Sequence, residues 1–364
     1  MIIRNLPFHI GASDTPSNPE GVPNELDFEL AIDKDLGLLY QELGEDVEQA
    51  LEKSYCFGKL IGTPLSESDE GKPYADDFLK LILNQFPGKK ILEIGCGKGY
   101  LLKRLQDKSF SCLGIEPGKG YSNFWKNYDV NVINDFFPTS EDETNYDLIY
   151  GYMLLEHINN PIDFLKEIKS SLNDNGMAIF AVPDCSEEIS NSDPAILIHE
   201  HISYFDNNSL GNLFKTVGLE PEIHNSGYGR SLYVVARKPI NNSVAIKNYS
   251  NISNIESYLL DVNKKILIQK KIIDLSCHDG SVGVYCPSRA INILNTKENY
   301  RFFDDDPYMY GKYLPPFKNQ IENFHDCIND PPDIIVIASR TFFSKIKQNL
   351  RGAGYVGKII SLFK

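Results

Sequence analysis

Histidine is the side chain best suited to take or give a proton near neutral pH, because its unperturbed pKa is about 6.5. The chain holds seven. His9, His224, His278 and His325 stand alone and read as surface or satisfied core residues. The remaining three fall in two runs, Glu156-His157-Ile158 and Ile198-His199-Glu200-His201-Ile202-Ser203-Tyr204-Phe205. In an extended segment, alternation would set His199 and His201 on one side and Glu200 on the other. A run of this kind can serve three ends. It can bind a metal ion if a third ligand joins it, but none stands at a suggestive spacing, so no metal is expected. It can be an ordinary polar loop. Or it can act with His157 as an acid–base pair directed at one acceptor.

A second chemical run is Glu93-Ile94-Gly95-Cys96-Gly97-Lys98-Gly99-Tyr100. It closes an apolar strand and opens a helix, a turn where backbone must come close to a ligand; glycine permits that approach and the positive φ it can require. Dinucleotide turns read Gly-x-Gly-x-x-Gly and set a pyrophosphate on the helix N-terminus. Here the glycines alternate strictly, and an acidic residue stands two places before the first. Small size accounts for Cys96 in the loop. About 20 residues further on, Glu116-Pro117 ends the next strand, where a carboxylate can accept from a ribose diol.

This pattern resembles motif I of class I methyltransferases. The resemblance implies S-adenosylmethionine as cofactor, with Glu93, Gly95, Cys96, Gly97, Gly99 and Tyr100 around it and Glu116 and Pro117 at its ribose. It also assigns Asn134-Asp135-Phe136 to the adenine, a polar side chain against the amine and an aromatic beside the ring. The strand Tyr146-Asp147-Leu148-Ile149-Tyr150 leads through Gly151, a further cofactor contact, toward His157.

These residues need a scaffold that delivers them to one edge. Apolar strands at Lys90–Ile94, Ser111–Ile115, Val130–Ile133, Tyr146–Tyr150, Met177–Val182 and Ser231–Ala236 alternate with helices at Ala75–Phe86, Tyr100–Gln106, Pro161–Ser171 and Ser209–Val217. That alternation predicts an α/β fold, a Rossmann-like doubly wound parallel sheet over 75–240. Ligands then bind at the carboxyl ends of the strands, where His157 and His201 both lie. Residues 1–74 are expected to hold little regular structure beyond a strand at Leu26–Ile32 and a helix at Asp46–Lys53, and to act as an accessory segment or lid. Residues 241–364 begin with an Asn/Ser-rich linker and a long helix from Ile255 to Lys271. Strands at Ser281–Cys286, Tyr300–Phe303, Asp333–Ala338 and Val356–Leu362 then predict a second, smaller Rossmann-like domain. Its Val284-Tyr285-Cys286-Pro287-Ser288-Arg289 lacks the glycines of a dinucleotide loop, so no second cofactor is expected there.

From about residue 50 onward the chain is similar to the sugar C-methyltransferases, which act on nucleotide-linked 4-keto-deoxysugars. The similarity rests on Glu156-His157-Ile158, on His199-Glu200-His201-x-Ser203-Tyr204-Phe205, on Gly227-Tyr228-Gly229-Arg230-Ser231-Leu232, and on Asp304-Asp305-Asp306-Pro307 with Pro332-Asp333 in the C-terminal unit. It implies that His201 removes a proton α to a ketone and that His157 holds the sugar or the enolate oxygen. It further implies that Glu200 and His199 belong to the same site, and that Tyr55 closes the pocket. Three positions depart from the pattern. No cysteine precedes Cys56 to supply the family's N-terminal zinc site, Ile198 replaces a tyrosine before the His-Glu-His run, and Arg230 sets a cation in the Gly-Gly-Ser turn, expected to face an anionic substrate. O- or N-methylation of a related metabolite needs a base but no enolate support, so it stays beside C-methylation. A non-catalytic scaffold would have lost motif I first.

Composition narrows the partners. Hydrophobic residues at 42% and charged residues at 24% are ordinary globular proportions, enough for a sizeable core. A formal net charge of -14 repels a phosphate backbone, and nothing more basic than Lys264-Lys265 and Lys270-Lys271 offsets it, so no nucleic acid partner is expected. The seven cysteines form no Cys-x-x-Cys pair and read as reduced thiols. Met1-Ile2-Ile3-Arg4-Asn5-Leu6-Pro7 lacks a signal-peptide core, and no stretch approaches the roughly 20 apolar residues of a membrane span. A cytoplasmic enzyme with a small-molecule substrate is the expectation.

Overall fold

The computed structural model describes residues 1–8, 11–56, 71–86, 88–140, 145–239, 247–340 and 342–362; the side chains of Tyr55, Cys56 and Arg289 fall outside that description. In chain order the first strands are β1 (Ile2–Pro7), β2 (Glu25–Asp33) and β3 (Leu38–Glu42), followed by a helix at Glu45–Cys56. The central region holds β4 (Lys90–Ile94), β5 (Ser111–Ile115), β6 (Val132–Ile133), β7 (Tyr146–Tyr152), β8 (Leu172–Pro183), β9 (Ser203–Tyr204), β10 (Glu220–Asn225) and β11 (Ser231–Arg237). The C-terminal strands are β12 (Val282–Tyr285), β13 (Arg301–Phe303), β14 (Ile321–Glu322), β15 (Ile334–Ile337) and β16 (Lys358–Ser361).

The central sheet is seven-stranded in the order β10-β11-β8-β7-β4-β5-β6. From β8 to β6 the strands are parallel, as their near-continuous apolar runs require once both faces are covered by helices. The late strand Ser231–Arg237 departs from the parallel expectation: β11 enters antiparallel between β8 and β10. Its partner β10 carries charges at Glu220 and Glu222, which hid it as a strand. Helix Lys72–Gln85 buries Ala75, Phe78, Leu79 and Ile82, one stripe at helical spacing. Helix Pro161–Ser171 is started by Asn160, whose side chain accepts from the Asp163 N–H, and by Pro161, whose fixed φ suits the first turn. Strand order reverses between β4 and β7, and in open α/β sheets ligands bind outside the carboxyl ends of the strands at such a reversal.

The N-terminal stretch is far more ordered than its sequence suggested. β1, β2 and β3 form an antiparallel sheet completed by β9 from the central region. In β2 the apolar residues Leu26, Phe28, Leu30 and Ile32 alternate with Asp27, Glu29 and the small Ala31, and Phe28 and Leu30 are fully buried. The C-terminal unit is a five-stranded parallel sheet, β14-β13-β12-β15-β16. One hydrophobic core joins the two ends of the chain: Ile3, Phe28 and Leu39 share it with Tyr258 and Val262 of helix Ile252–Asp279 and with Val284, Phe302 and Val336. Polar contacts reinforce it, Tyr258 donating to the Asp193 carbonyl at 3.1 Å and Gln269 to the Leu362 carbonyl at 2.8 Å. Among the described residues, no helix is long and apolar enough to cross a membrane.

His199 belongs to this packing. Its ring sits between Phe8 and Phe28, at centroid distances of 5.1 and 5.0 Å. The carbonyls of Leu26 and Pro7 are its nearest polar neighbours, and neither ring nitrogen closes a proper hydrogen bond. Burial in that environment drives its pKa down to about 3. Unfolded, the ring takes its proton near 6.5, so below that pH the unfolded chain binds a proton that the fold excludes, and stability falls as pH drops toward 3. His199→Leu should therefore move the acid-unfolding midpoint, followed by circular dichroism, to lower pH. The gain at pH 4 should be ~3 kcal/mol with little change at pH 8; an equal shift at both pH values would refute the ionisation argument.

Candidate active site

The turn after β4 has the geometry that its glycines predicted. Gly95, Gly97 and Gly99 all take positive φ, at 70°, 51° and 81°. A side chain added at Gly97 would project into open space, whereas one at Gly95 would press on Leu154 at 3.0 Å. The loop is thus packed from behind at Gly95 and open in front at Gly97. The Gly95 N–H donates to the Ile115 carbonyl at 2.8 Å, and the indole of Trp125 donates to the Gly97 carbonyl at 2.7 Å. Cys96 is buried, and burial raises its thiol pKa well above the usual range, so the neutral thiol fills space beside Gly114.

Two buried carboxyl groups flank the loop. Glu116 accepts from the Gly97 N–H at 2.9 Å and the Gly118 N–H at 2.8 Å, one on each oxygen. Burial raises its pKa and those two N–H groups lower it. Glu93 is deeper. Its carboxyl accepts from the Tyr150 hydroxyl at 2.7 Å and is pushed up to about 8 by burial, with the tyrosine opposing and Glu116 adding to the shift. Tyr150 is a partner that sequence reasoning missed, since a tyrosine inside an apolar strand reads as core. Asn134 donates to the Glu116 carbonyl at 2.7 Å, holding the ends of β5 and β6 together. Phe136 is 55% exposed beside Asp135, an aromatic face left open where an adenine was expected. Tyr100 begins the helix after the loop and accepts from Arg104 at 2.7 Å. Pro117 follows Glu116 outside regular structure, and Gly151 admits Phe180 and Leu154, either of which a side chain there would strike.

Leu154 links this loop to the second cluster. It packs on both Gly95 and Gly151, and the next turn, Leu155–His157, carries Glu156 and His157. The His157 ring lies 5.0 Å from that of His201, near edge-on. His157 Nδ1 is 2.7 Å from the Glu200 carbonyl, which can only accept, so Nδ1 carries the proton and Nε2 keeps its lone pair. Nε2 lies 3.8 Å from Glu156 Oε1. Burial lowers the His157 pKa to about 4, against the pull of the Glu200 carbonyl, and raises that of Glu156 to about 8. Both groups are accordingly neutral near pH 7, and the contact is not an ion pair.

The extended reading of the His-Glu-His run does not hold. The segment turns at His199 and Glu200, with the His201 N–H donating to the Ile198 carbonyl at 2.9 Å. That turn sends His199 to the N-terminal sheet and leaves His201 with His157. Glu200 is fully buried and meets the cluster through its carbonyl. Arg230 also differs from expectation: its guanidinium is clamped by both carboxylate oxygens of Glu188, at 2.8 Å on one arm, and also pairs with Glu187 at 3.3 Å. It is neutralised within the protein rather than aimed at an acceptor. The Tyr55 side chain, expected to close the pocket, lies outside the described residues, as does His9. Glu156 is the residue the sequence reading passed over, although it adjoins His157.

Residues 67–223 match a family model described as a methyltransferase domain. The chain is 26% identical over 157 residues to the C-methyltransferase NovU of Streptomyces niveus, a match spanning 41% of this chain and 37% of that protein. It is 26% identical over 122 residues to a tRNA U34 carboxymethyltransferase of Hydrogenovibrio crunogenus, spanning 29% of this chain and 37% of that one. The chain thus spans about 37% of the length of each of these relatives. Among solved structures it is similar to a possible histamine N-methyltransferase from Thermotoga maritima, with a TM-score of 0.38 at 18% identity over 45% of this chain and 89% of that one. The central region is an S-adenosylmethionine-dependent methyltransferase domain. The open front of Gly97 and the carboxylate of Glu116 beside it suit that cofactor. Glu116→Gln should weaken S-adenosylmethionine binding, measured by calorimetry, by roughly 10- to 100-fold, as loss of a charged hydrogen-bond acceptor does, with an unchanged far-UV spectrum. Unaltered affinity would remove Glu116 from the cofactor site.

Proposed function

We propose that this protein methylates a small, sugar-like metabolite, a nucleotide-linked keto-deoxysugar, at the carbon next to its ketone. The observation carrying this reading is the pairing of His201, from a separate loop, with His157, on the turn that follows Leu154 and so adjoins the glycine loop. The likeness to NovU over part of the chain supports a carbon acceptor.

When bound, S-adenosylmethionine supplies an electrophilic methyl group on sulfur. The protein's own residues do the rest. A C–H next to a ketone is too weakly acidic to react unaided, so a positioned base and a stabilised enolate are both needed. His201 takes the proton. His157, with its proton fixed on Nδ1, presents the Nε2 lone pair and accepts from a sugar hydroxyl. A neutral Glu156 carboxyl is the donor for the enolate oxygen, covering for Ile198 where a tyrosine was expected. Holding the enolate carbon in line with the methyl group provides much of the acceleration. Ile198 also favours a second reading, O- or N-methylation of a related metabolite, for which a base suffices.

Incubated in deuterium oxide with a nucleotide-linked 4-keto-deoxysugar, the enzyme should exchange one proton α to the ketone and form a carbon-bound methyl group. A methyl group on oxygen or nitrogen without exchange would replace the first reading by the second. His201→Ala should lower turnover by roughly 100-fold or more while S-adenosylmethionine affinity stays near normal; retained turnover would exclude His201 as the base.

A further inference from the structure

Among the described residues, Glu156, His157 and His201 each offer one ligand atom, and these atoms lie within 4.8 Å of one another. The set was invisible in sequence because its third member comes from a different loop. The two loops are pinned together by the Ile202 N–H, which donates to the Glu156 carbonyl at 2.7 Å. Several independent features prepare the cluster for a cation. His157 Nε2 carries its lone pair toward Glu156, because Nδ1 is committed to the Glu200 carbonyl. A ligating histidine commonly donates its other N–H in this way, which fixes the ring and raises the basicity of the ligating nitrogen. Glu156 is 1% exposed, and its Oε2 has no hydrogen-bond partner. A buried carboxyl oxygen without a partner costs free energy that a cation would offset.

We infer that Glu156, His157 and His201 bind one divalent transition-metal ion of the zinc class, and that filling this site blocks the base. Two imidazoles and one carboxylate match zinc and its neighbours, and match poorly the all-oxygen shells of magnesium and calcium. Bonds of about 2.1 Å set neighbouring ligands roughly 3.4 Å apart in a tetrahedral site, so the cluster closes by side-chain rotation without moving the pinned loops. Three protein ligands leave a fourth position for water or an acceptor oxygen. The second half of the inference rests on the role of His201 as base: a nitrogen lone pair bound to metal cannot accept a proton. Metal occupancy and proton abstraction are then mutually exclusive, and the zinc ion acts as an inhibitor of the site.

The test uses the full chain freed of metal by a chelator. Equilibrium dialysis against Zn2+, with a chromophoric chelator as competitor, should find one tightly held ion per chain. Glu156→Gln and His201→Asn should each weaken it by roughly 10- to 100-fold, whereas His224→Ala, at a separate histidine on β10, should not. Thermal melts with and without Zn2+ supply a second readout: the unsubstituted chain should gain stability from the ion and both site variants should not. Absence of stoichiometric binding, or equal binding by the Glu156→Gln variant, would overturn the site. With a turned-over acceptor, methyl transfer should fall in proportion to occupancy and return on chelation; a rise with occupancy would overturn the inhibitory role. The dialysis needs no acceptor, so a failure of the methylation reading leaves the binding result to stand or fall alone.

Discussion

The backbone of Ile202 is hydrogen-bonded on both sides. Its N–H donates to the Glu156 carbonyl at 2.7 Å, and its carbonyl accepts from the Gln41 N–H at 2.8 Å. One residue thereby ties the turn after β7 to strand β3, and β9 follows directly, pairing Tyr204 with Leu39. The His201 ring reaches His157 because this clasp holds its backbone from two directions. Without the clasp, the short β9 would have little to keep it in register, since paired residues of so small a number contribute little stability alone. The clasp also explains the burial of Glu200 and His199, which are carried into the interior on the same turn.

The central sheet was legible because its signals are local. Apolar strands separated by amphipathic helices leave periodicities that need no knowledge of the rest of the chain. The glycine loop was legible for the same reason, as the positive φ at Gly95, Gly97 and Gly99 shows, whereas the hydrogen bond that sets Glu116 against Gly97 joins residues at the ends of different strands. What escaped was set by contacts between distant segments. β1 and β3 are short and mixed in composition, and become strands only by pairing with β2 and β9. His199 and His201 look equivalent in sequence, and a single turn sends one toward Phe8 and Phe28 and the other toward His157. Arg230 could be seen as a charge but not as half of a pair with Glu188, a helix that precedes it by some distance in the chain. Glu156 was overlooked because a carboxylate in a polar loop is ordinary until its burial is known.

Charge neutralisation by burial is the common theme of both halves of the site. Glu93 and Glu156 are each pushed up to about 8, and His157 down to about 4. Chemistry among neutral groups in a water-poor space keeps proton transfers short and makes each hydrogen bond count for more than it would in solvent. It also makes the cluster sensitive to any cation able to enter it.

The shared core of the chain's two ends has a consequence for how the protein is made. Every strand of the cofactor sheet lies between Lys90 and Arg237, so that half can assemble as soon as the ribosome has released it. Ile3, Phe28 and Leu39 leave the ribosome ahead of that sheet but find Val284, Phe302 and Val336 only after it has been released. The earliest strands must therefore wait longest for their partners, with apolar side chains uncovered meanwhile and open to non-native association. A central sheet formed early, and a joint core closed only once β12, β13 and β15 have been made, is the order of events that this topology imposes.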